Sequence, residues 1–129
     1  MIHKSLFVVG AALAITFALA APSRAALDHY KCYKIKKDSI AAPPPTVADV
    51  DQFGTTTDTV SKPFLWCNPV SKNGSGIIDP IDHLLCYKIK GDAPNPPPHL
   101  ETTNQFGTST LFAKKPFLLC VPGTKAIIP

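Results

Sequence analysis

The chain has 129 residues, of which the first 25 have the features of an export leader, so the remainder is the size of one small domain. Without Lys4 and Arg24 the formal charge falls from +4 to +2, and no arginine remains. So small a charge argues against a nucleic-acid-binding protein. No nucleophile stands beside a base and no paired carboxylates are evident, so we predict no catalytic residues, no enzyme activity and no cofactor.

Residues 1–25 carry the parts of a secretory signal. After a short positive start, residues 6–20 form a mainly apolar run without charged side chains, and Ser23 and Ala25 are the small residues of a cleavage site. The run is shorter than the roughly 20 residues that a membrane-spanning helix needs. We therefore expect cleavage after Ala25 rather than a retained membrane anchor, and export to the periplasm or the exterior of a bacterial cell.

The four cysteines all follow the leader. They are Cys32, Cys67, Cys86 and Cys120. An even number of cysteines in a small exported chain favours disulfides over free thiols, because such chains fold in an oxidising compartment.

Most of the chain after the leader is an internal repeat. Residues 27–38 align with 81–92, with eight identities in twelve positions, and residues 43–72 align with 96–125. Such self-similarity indicates a duplicated supersecondary unit. We define unit 1 as residues 26–76 and unit 2 as residues 77–129.

Three strings of the repeat carry a resemblance to a known family. They are Cys-Tyr-Lys-Ile-Lys, Gln-Phe-Gly-Thr and Lys-Pro-Phe-Leu-Leu-Cys. Together they resemble an uncharacterised tandem-repeat module of exported bacterial proteins, a domain of unknown function, over nearly all of residues 27–129. The resemblance implies export, repetition and β structure, and it carries over no catalytic residues. Unit 2 departs from unit 1 in having Leu119 at the position of Trp66 and Gly91 at that of Lys37.

Each unit opens with a segment in which apolar side chains alternate with lysines, at 30–36 and 84–90. This period of two is typical of a β-strand with one face in water. Proline-rich stretches follow at 43–45 and 94–98. They are predicted to be loops, because proline lacks the N–H that a central strand donates.

The middle of each unit has the pattern of a β-hairpin. Residues 46–51 and 99–104 lead into Gln-Phe-Gly-Thr, in which Gly54 or Gly107 can adopt a positive φ. A threonine-rich segment follows, and β-branched residues favour strands. A further short strand is predicted to begin at Pro63.

No part of the chain after the leader has helical periodicity with caps, so the predicted class is all-β. A unit of about 50 residues buries too little surface to be stable alone. We therefore predict two tandem units of short antiparallel strands, joined by a linker at 73–80 and packed as a small sandwich or barrel with pseudo-two-fold symmetry.

The repeat also predicts how the cysteines pair. Four cysteines allow three pairings, and all three are compatible with the repeat. A single ancestral unit could satisfy its two cysteines only by joining them to each other. This history favours Cys32 with Cys67 and Cys86 with Cys120.

A duplicated His-x-x-Cys motif offers an alternative use of two of the cysteines. His29, Cys32, His83 and Cys86 are residue types that bind zinc or copper, and the aspartate before each histidine could orient its ring. Disulfide formation excludes this use. A small metal-binding protein is therefore the alternative to a disulfide-bonded one.

The remaining polar and aromatic side chains favour surface binding. Lysines interleave with Tyr33 and Tyr87, as on a solvated sheet face that could contact anionic polysaccharide. Unit 1 also has a set of aromatic residues that could stack on sugars: Tyr30, Tyr33, Phe53, Phe64 and Trp66. Three aspartates that could suggest calcium have no acidic counterparts in unit 2, namely Asp49, Asp51 and Asp58.

From these patterns we expect a non-catalytic secreted or periplasmic β-repeat protein with a binding or structural role at the cell surface or in the extracellular matrix. A carbohydrate-binding module is a further alternative. The expected partner is an envelope protein or a polysaccharide, with no nucleic acid and no stable membrane anchor.

Overall fold

The structure is a computed structural model that describes Gly10 and residues 27–129. The predicted leader and its cleavage site lie outside the described residues. Within that part no helix is long and apolar enough to cross a bilayer. The described residues form seven strands: β1 (His29–Lys34), β2 (Thr46–Asp51), β3 (Gly54–Val70), β4 (Asp82–Lys90), β5 (His99–Asn104), β6 (Gly107–Phe112) and β7 (Leu118–Thr124).

The strands form two antiparallel sheets, which confirms the all-β class. The larger sheet has the order β1-β3-β4-β7, with β2 paired to the first part of β3. The smaller sheet is the β5–β6 hairpin. Because β3 ends unit 1 and β4 begins unit 2, the ladder between them joins the two units edge to edge. We call this β3–β4 ladder the seam.

Both predicted hairpins are confirmed, and their turns share one geometry. Gly54 and Gly107 have φ angles of 137° and 120°, a region that residues with a side chain rarely adopt. The carboxylate of Asp51 accepts the N–H two residues further on at 2.8 Å, and the side-chain oxygen of Asn104 does the same at 2.9 Å. The chain therefore reverses at the Gln-Phe-Gly-Thr string in both units.

Strand β3 is longer than the sequence predicts. The expected separate strand beginning at Pro63 is wrong, since β3 runs for 17 residues through that proline. The ladder with β4 shifts register between Val60 and Pro63 and again between Pro63 and Leu65. A proline is tolerated there because its missing N–H falls at an irregularity of the ladder. In unit 2 the equivalent segment is divided, because residues 113–117 separate β6 from β7.

The hydrophobic core lies along the seam. The buried apolar side chains of the described residues are Val60, Pro63, Cys67 and Pro69 of β3 and Cys86 and Ile89 of β4. Val60 and Ile89 are directly opposite each other in the β3–β4 ladder. Each unit thus contributes part of a core that neither would enclose alone, as expected for segments of this size.

Cys32 is bonded to Cys67 and Cys86 to Cys120, the pairing that the repeat predicts. Each disulfide joins directly opposite residues of neighbouring strands, β1 to β3 and β4 to β7. The Sγ atoms of Cys67 and Cys86 are only 3.9 Å apart across the seam. The disulfides therefore tie both outer strands to the central pair, and they indicate an oxidising compartment.

The predicted barrel is wrong. The sheet stays open, with β1 and β7 at its two edges. A closed barrel would need β1 to pair with β7, whereas β1 pairs only with β3 and β7 only with β4 among the described residues. Strands β5 and β6 contact, among the strands, only each other. The sandwich and the pseudo-two-fold symmetry stay predictions.

Removing either disulfide should destabilise the chain strongly. The bridges span 35 and 34 residues along the sequence. Opening a loop of that size lowers the free energy of unfolding by about 3.5–4 kcal/mol in the chain-entropy model. The double variants Cys32→Ala/Cys67→Ala and Cys86→Ala/Cys120→Ala should therefore show similar losses in equilibrium urea unfolding. A loss below about 1 kcal/mol in either would contradict this view of the disulfides.

Candidate functional sites

The cysteines of the His-x-x-Cys motif form disulfides. Cys32 and Cys86 each have a bonded partner. A disulfide sulfur is not the thiolate that zinc or copper binds. The described part of the chain also has no group of three or more His, Cys, Asp or Glu side chains that could hold a metal ion. In this oxidised form the two histidines are the ligands left from the proposed set.

The two histidines of the motif contact polar and aromatic neighbours. Nε2 of His29 lies 3.0 Å from Nε2 of Gln105, at the turn of the β5–β6 hairpin. The ring of His83 lies 5.8 Å from the ring of Trp66. The Gln105 contact brings the tip of that hairpin to the beginning of β1, so His29 connects unit 1 to the far end of unit 2.

The aspartates before the histidines fasten the linker between the units. The two carboxylate oxygens of Asp28 accept the N–H groups of Ile78 and Asp79 at 2.6 and 3.0 Å. Asp79 in turn accepts the N–H groups of Asp82 and Ile81, which lowers the pKa of Asp79. A side-chain hydrogen bond with Asp79 raises the pKa of Asp82. These carboxylates thus hold the linker against the start of both units.

One face of the larger sheet carries a row of three rings. Tyr33 of β1 lies opposite Trp66 of β3, with their ring centroids 5.9 Å apart. His83 of β4 continues the row beyond Trp66. Tyr33 is 43 % exposed, while Trp66 and His83 are half-buried. The disulfides lie on the opposite face, because Cys32 and Cys67 alternate with these residues along the strands.

Two lysines border the ring row. Nζ of Lys31 lies 5.4 Å from the centroid of Tyr33, and Nζ of Lys125 lies 5.6 Å from that of Trp66. Both distances are in the range of cation–π attraction. Lys125 also donates to the side-chain oxygen of Asn68. We call these two lysines and the three rings the aromatic face.

A groove of about 680 Å³ lies between the β2–β3 hairpin and unit 2. Its size is that of a small-molecule pocket. Residues within 49–58 form one wall, and residues within 92–94 and 113–119 form the other. The charged side chains that line it are Asp49, Asp51, Asp58, Asp92, Lys114 and Lys115.

Asp58 is buried beside this groove. It is 3 % exposed, and its Oδ1 atom has no hydrogen-bond partner in the structure. A side-chain hydrogen bond with Asp58 raises the pKa of Asp49, as expected for two neighbouring carboxyl groups. A Cβ atom on Gly91 would lie 1.7 Å from Oδ1 of Asp58. The carboxyl group therefore occupies space that exists only because residue 91 has no side chain.

Asp58 and Gly91 are both positions at which the units differ. Unit 2 has Leu111 at the position of Asp58, and unit 1 has Lys37 at that of Gly91. The sequence shows both departures, but aligning one unit with the other does not show that they meet. Their contact forms across the seam, between the end of β4 and the hairpin of unit 1.

Comparison with known proteins gives no match. No family model, no curated protein and no solved structure matches this chain. Its function has therefore to be inferred from its own side chains.

The contact between Asp58 and Gly91 predicts a specific coupling. Gly91→Ala should lower the free energy of unfolding by about 1–3 kcal/mol, because the new methyl group meets a buried carboxyl group. In an Asp58→Ala background the same substitution should have a much smaller effect, because the clashing atoms are gone. Urea unfolding of the single and double variants measures this coupling, and additive effects would show that the two residues do not meet.

Proposed function

We propose that the mature chain is an exported, non-catalytic binding module for anionic polysaccharide, acting at the cell surface or in the extracellular matrix. The observation that supports this most strongly is the aromatic face. It combines flat rings with two lysines on one side of an open sheet.

The spacing of the rings suits a sugar chain. Successive ring centroids are 5.9 and 5.8 Å apart, close to the length of one sugar residue in an extended chain. The C–H groups on one side of a pyranose ring pack well against an aromatic ring. A row of three rings across three strands could therefore contact consecutive sugar units without a deep cleft.

The lysines favour a negatively charged sugar chain over a neutral one. Lys31 lies over the ring of Tyr33, and Lys125 lies over the ring of Trp66. Their ammonium groups could pair with carboxylate or sulfate groups of a polymer that lies along the row. The modest charge of +2 after the leader and the lack of arginine make nucleic acid a poor alternative ligand.

The row as a whole has no duplicate, because Trp66 lacks an aromatic counterpart in unit 2. Leu119 replaces Trp66, so the equivalent of the Tyr33–Trp66 pair is Tyr87 with Leu119. The proposed site therefore occurs once per chain, and His83 of unit 2 completes a row that unit 1 begins. A single site of this kind predicts one polymer strand bound per chain.

Affinity electrophoresis through gels that contain a polyuronate, with a neutral glucan as the comparison, tests this proposal. The wild-type chain should be retarded by the polyuronate alone, and added salt should reduce the effect because it screens the lysines. Tyr33→Ala and Lys31→Ala should each weaken binding about tenfold, corresponding to about 1.4 kcal/mol.

Phe112→Ala provides a matched control, since Phe112 is an aromatic residue with 60 % exposure outside the aromatic face. It should bind as the wild type does. Equal retardation by the neutral glucan, or unchanged binding by Tyr33→Ala with both disulfides intact, would contradict the proposal.

A further inference from the structure

The seam shows how one unit recognises another. Its uninterrupted part places Leu65 opposite Cys86, Trp66 opposite Leu85 and Cys67 opposite Leu84. These residues belong to the last strand of unit 1 and the first strand of unit 2. We call the first strand of a unit its opening strand and the last strand its closing strand. The contact between the units is thus a pairing of one closing strand with one opening strand.

The same two kinds of strand form the edges of the sheet. Strand β1 is the opening strand of unit 1, and β7 is the closing strand of unit 2. Over the described residues, β1 pairs only with β3 and β7 pairs only with β4. One edge of the sheet therefore has an opening strand without a second partner, and the other edge has a closing strand without one.

The backbone groups at these edges have the orientation that the seam uses. The Cα atoms of each disulfide pair are 3.9 Å apart, so each pair is a non-hydrogen-bonded pair of its ladder. The N–H and C=O groups of Cys86 consequently point away from β7 and into the seam. In agreement, the N–H of Ile89, three residues further on, points toward β7 and donates to Phe117.

By the same reasoning, the N–H and C=O groups of Cys32 point away from β3 to the open edge. Those of Tyr30, two residues earlier, point the same way. On the other edge, the groups of Cys120 and Leu118 point away from β4. The free backbone N–H and C=O groups of β1 and β7 are thus complementary, and they are spaced along their strands as the paired groups of β4 and β3 are in the seam.

The side chains at the two edges also largely match those of the seam. Leu118 and Cys120 reproduce Leu65 and Cys67, and Leu119 is an apolar replacement for Trp66. On the opening strand, Tyr30 takes the place of Leu84 and Lys31 that of Leu85. Lys31 is therefore the one charged residue introduced into an otherwise apolar or neutral contact.

We propose that copies of this chain associate head to tail, with β7 of one copy pairing antiparallel with β1 of the next in the register of the seam. Leu118 then lies opposite Cys32 of the next copy, Leu119 opposite its Lys31 and Cys120 opposite its Tyr30. This association does not rest on the polysaccharide proposal, although Lys31 belongs to the aromatic face as well.

The contact is heterologous, so each added copy leaves the same two edges free. Association of this type gives open filaments, or rings where the rotation between successive copies closes, and in both cases the mean mass rises with protein concentration. Lys31 keeps the contact weak, because a lysine on an edge strand opposes the addition of another strand. Its replacement by the residue that the seam has at this position should strengthen the contact.

Sedimentation velocity over a range of concentrations tests the proposal, using the full chain recovered from the periplasm with both disulfides formed. The wild type should increase in mean mass with concentration. Lys31→Leu should reach the same mean mass at a concentration at least tenfold lower. If the wild type and Lys31→Leu both stay monomeric throughout, the proposal is wrong.

A backbone substitution tests the edge more directly. Tyr30→Pro removes an N–H that points to the open edge and costs the β1–β3 ladder no hydrogen bond. It should abolish the association, whereas Tyr30→Ala, which keeps the N–H, should retain it. Assembly of Tyr30→Pro at the wild-type concentration, with native disulfides confirmed by peptide mapping, would overturn the proposal.

The register has its own test. A Leu119→Cys chain mixed with a Lys31→Cys chain should form a disulfide-linked dimer, because these residues face each other in a non-hydrogen-bonded pair with close side chains. A Leu119→Cys chain mixed with a Lys36→Cys chain should not. Equal cross-linking in the two mixtures would rule out the proposed register.

Discussion

The pairing of β3 with β4 is the interaction on which the rest of this structure depends. Among the described residues, the buried apolar side chains all lie on these two strands. The disulfides attach the outer strands β1 and β7 to this pair, because Cys67 and Cys86 meet across the seam and each is bonded to a cysteine of an outer strand. A chain with so small a core thus gains its order from one ladder between its units and one covalent bond within each.

The seam also creates the aromatic face and the groove. His83 reaches the ring of Trp66 because β4 lies beside β3, so the aromatic face contains side chains of both units. The groove forms where the β2–β3 hairpin extends past the end of β4, and Asp58 fits there because Gly91 follows that strand. Neither surface would exist in a single unit, although each unit has its own disulfide.

The sequence predicts local features of this protein better than the arrangement of its units. The hairpins follow from the glycine at each turn, and the disulfide pairing follows from the ancestry of the repeat, since both depend on residues within one unit. The open sheet did not follow, because the repeat does not specify whether two units pack face to face or pair edge to edge. The contact of Asp58 with Gly91 could not be predicted for the same reason, because it crosses the seam and depends on how the units are arranged. The prediction of a separate strand beginning at Pro63 was wrong because a register shift in the ladder accommodates the proline within β3.

Hydrogen exchange of the β4 amides tests the central role of the seam most directly. The N–H groups of Leu84 and Cys86 point toward β3, while those of Leu85 and Tyr87 point toward β7. If the two units form one cooperative sheet, all four amides should exchange at similar slow rates set by global unfolding. Rapid exchange of Leu84 and Cys86 beside protected Leu85 and Tyr87 would show that the units are separate and that the seam does not hold them together.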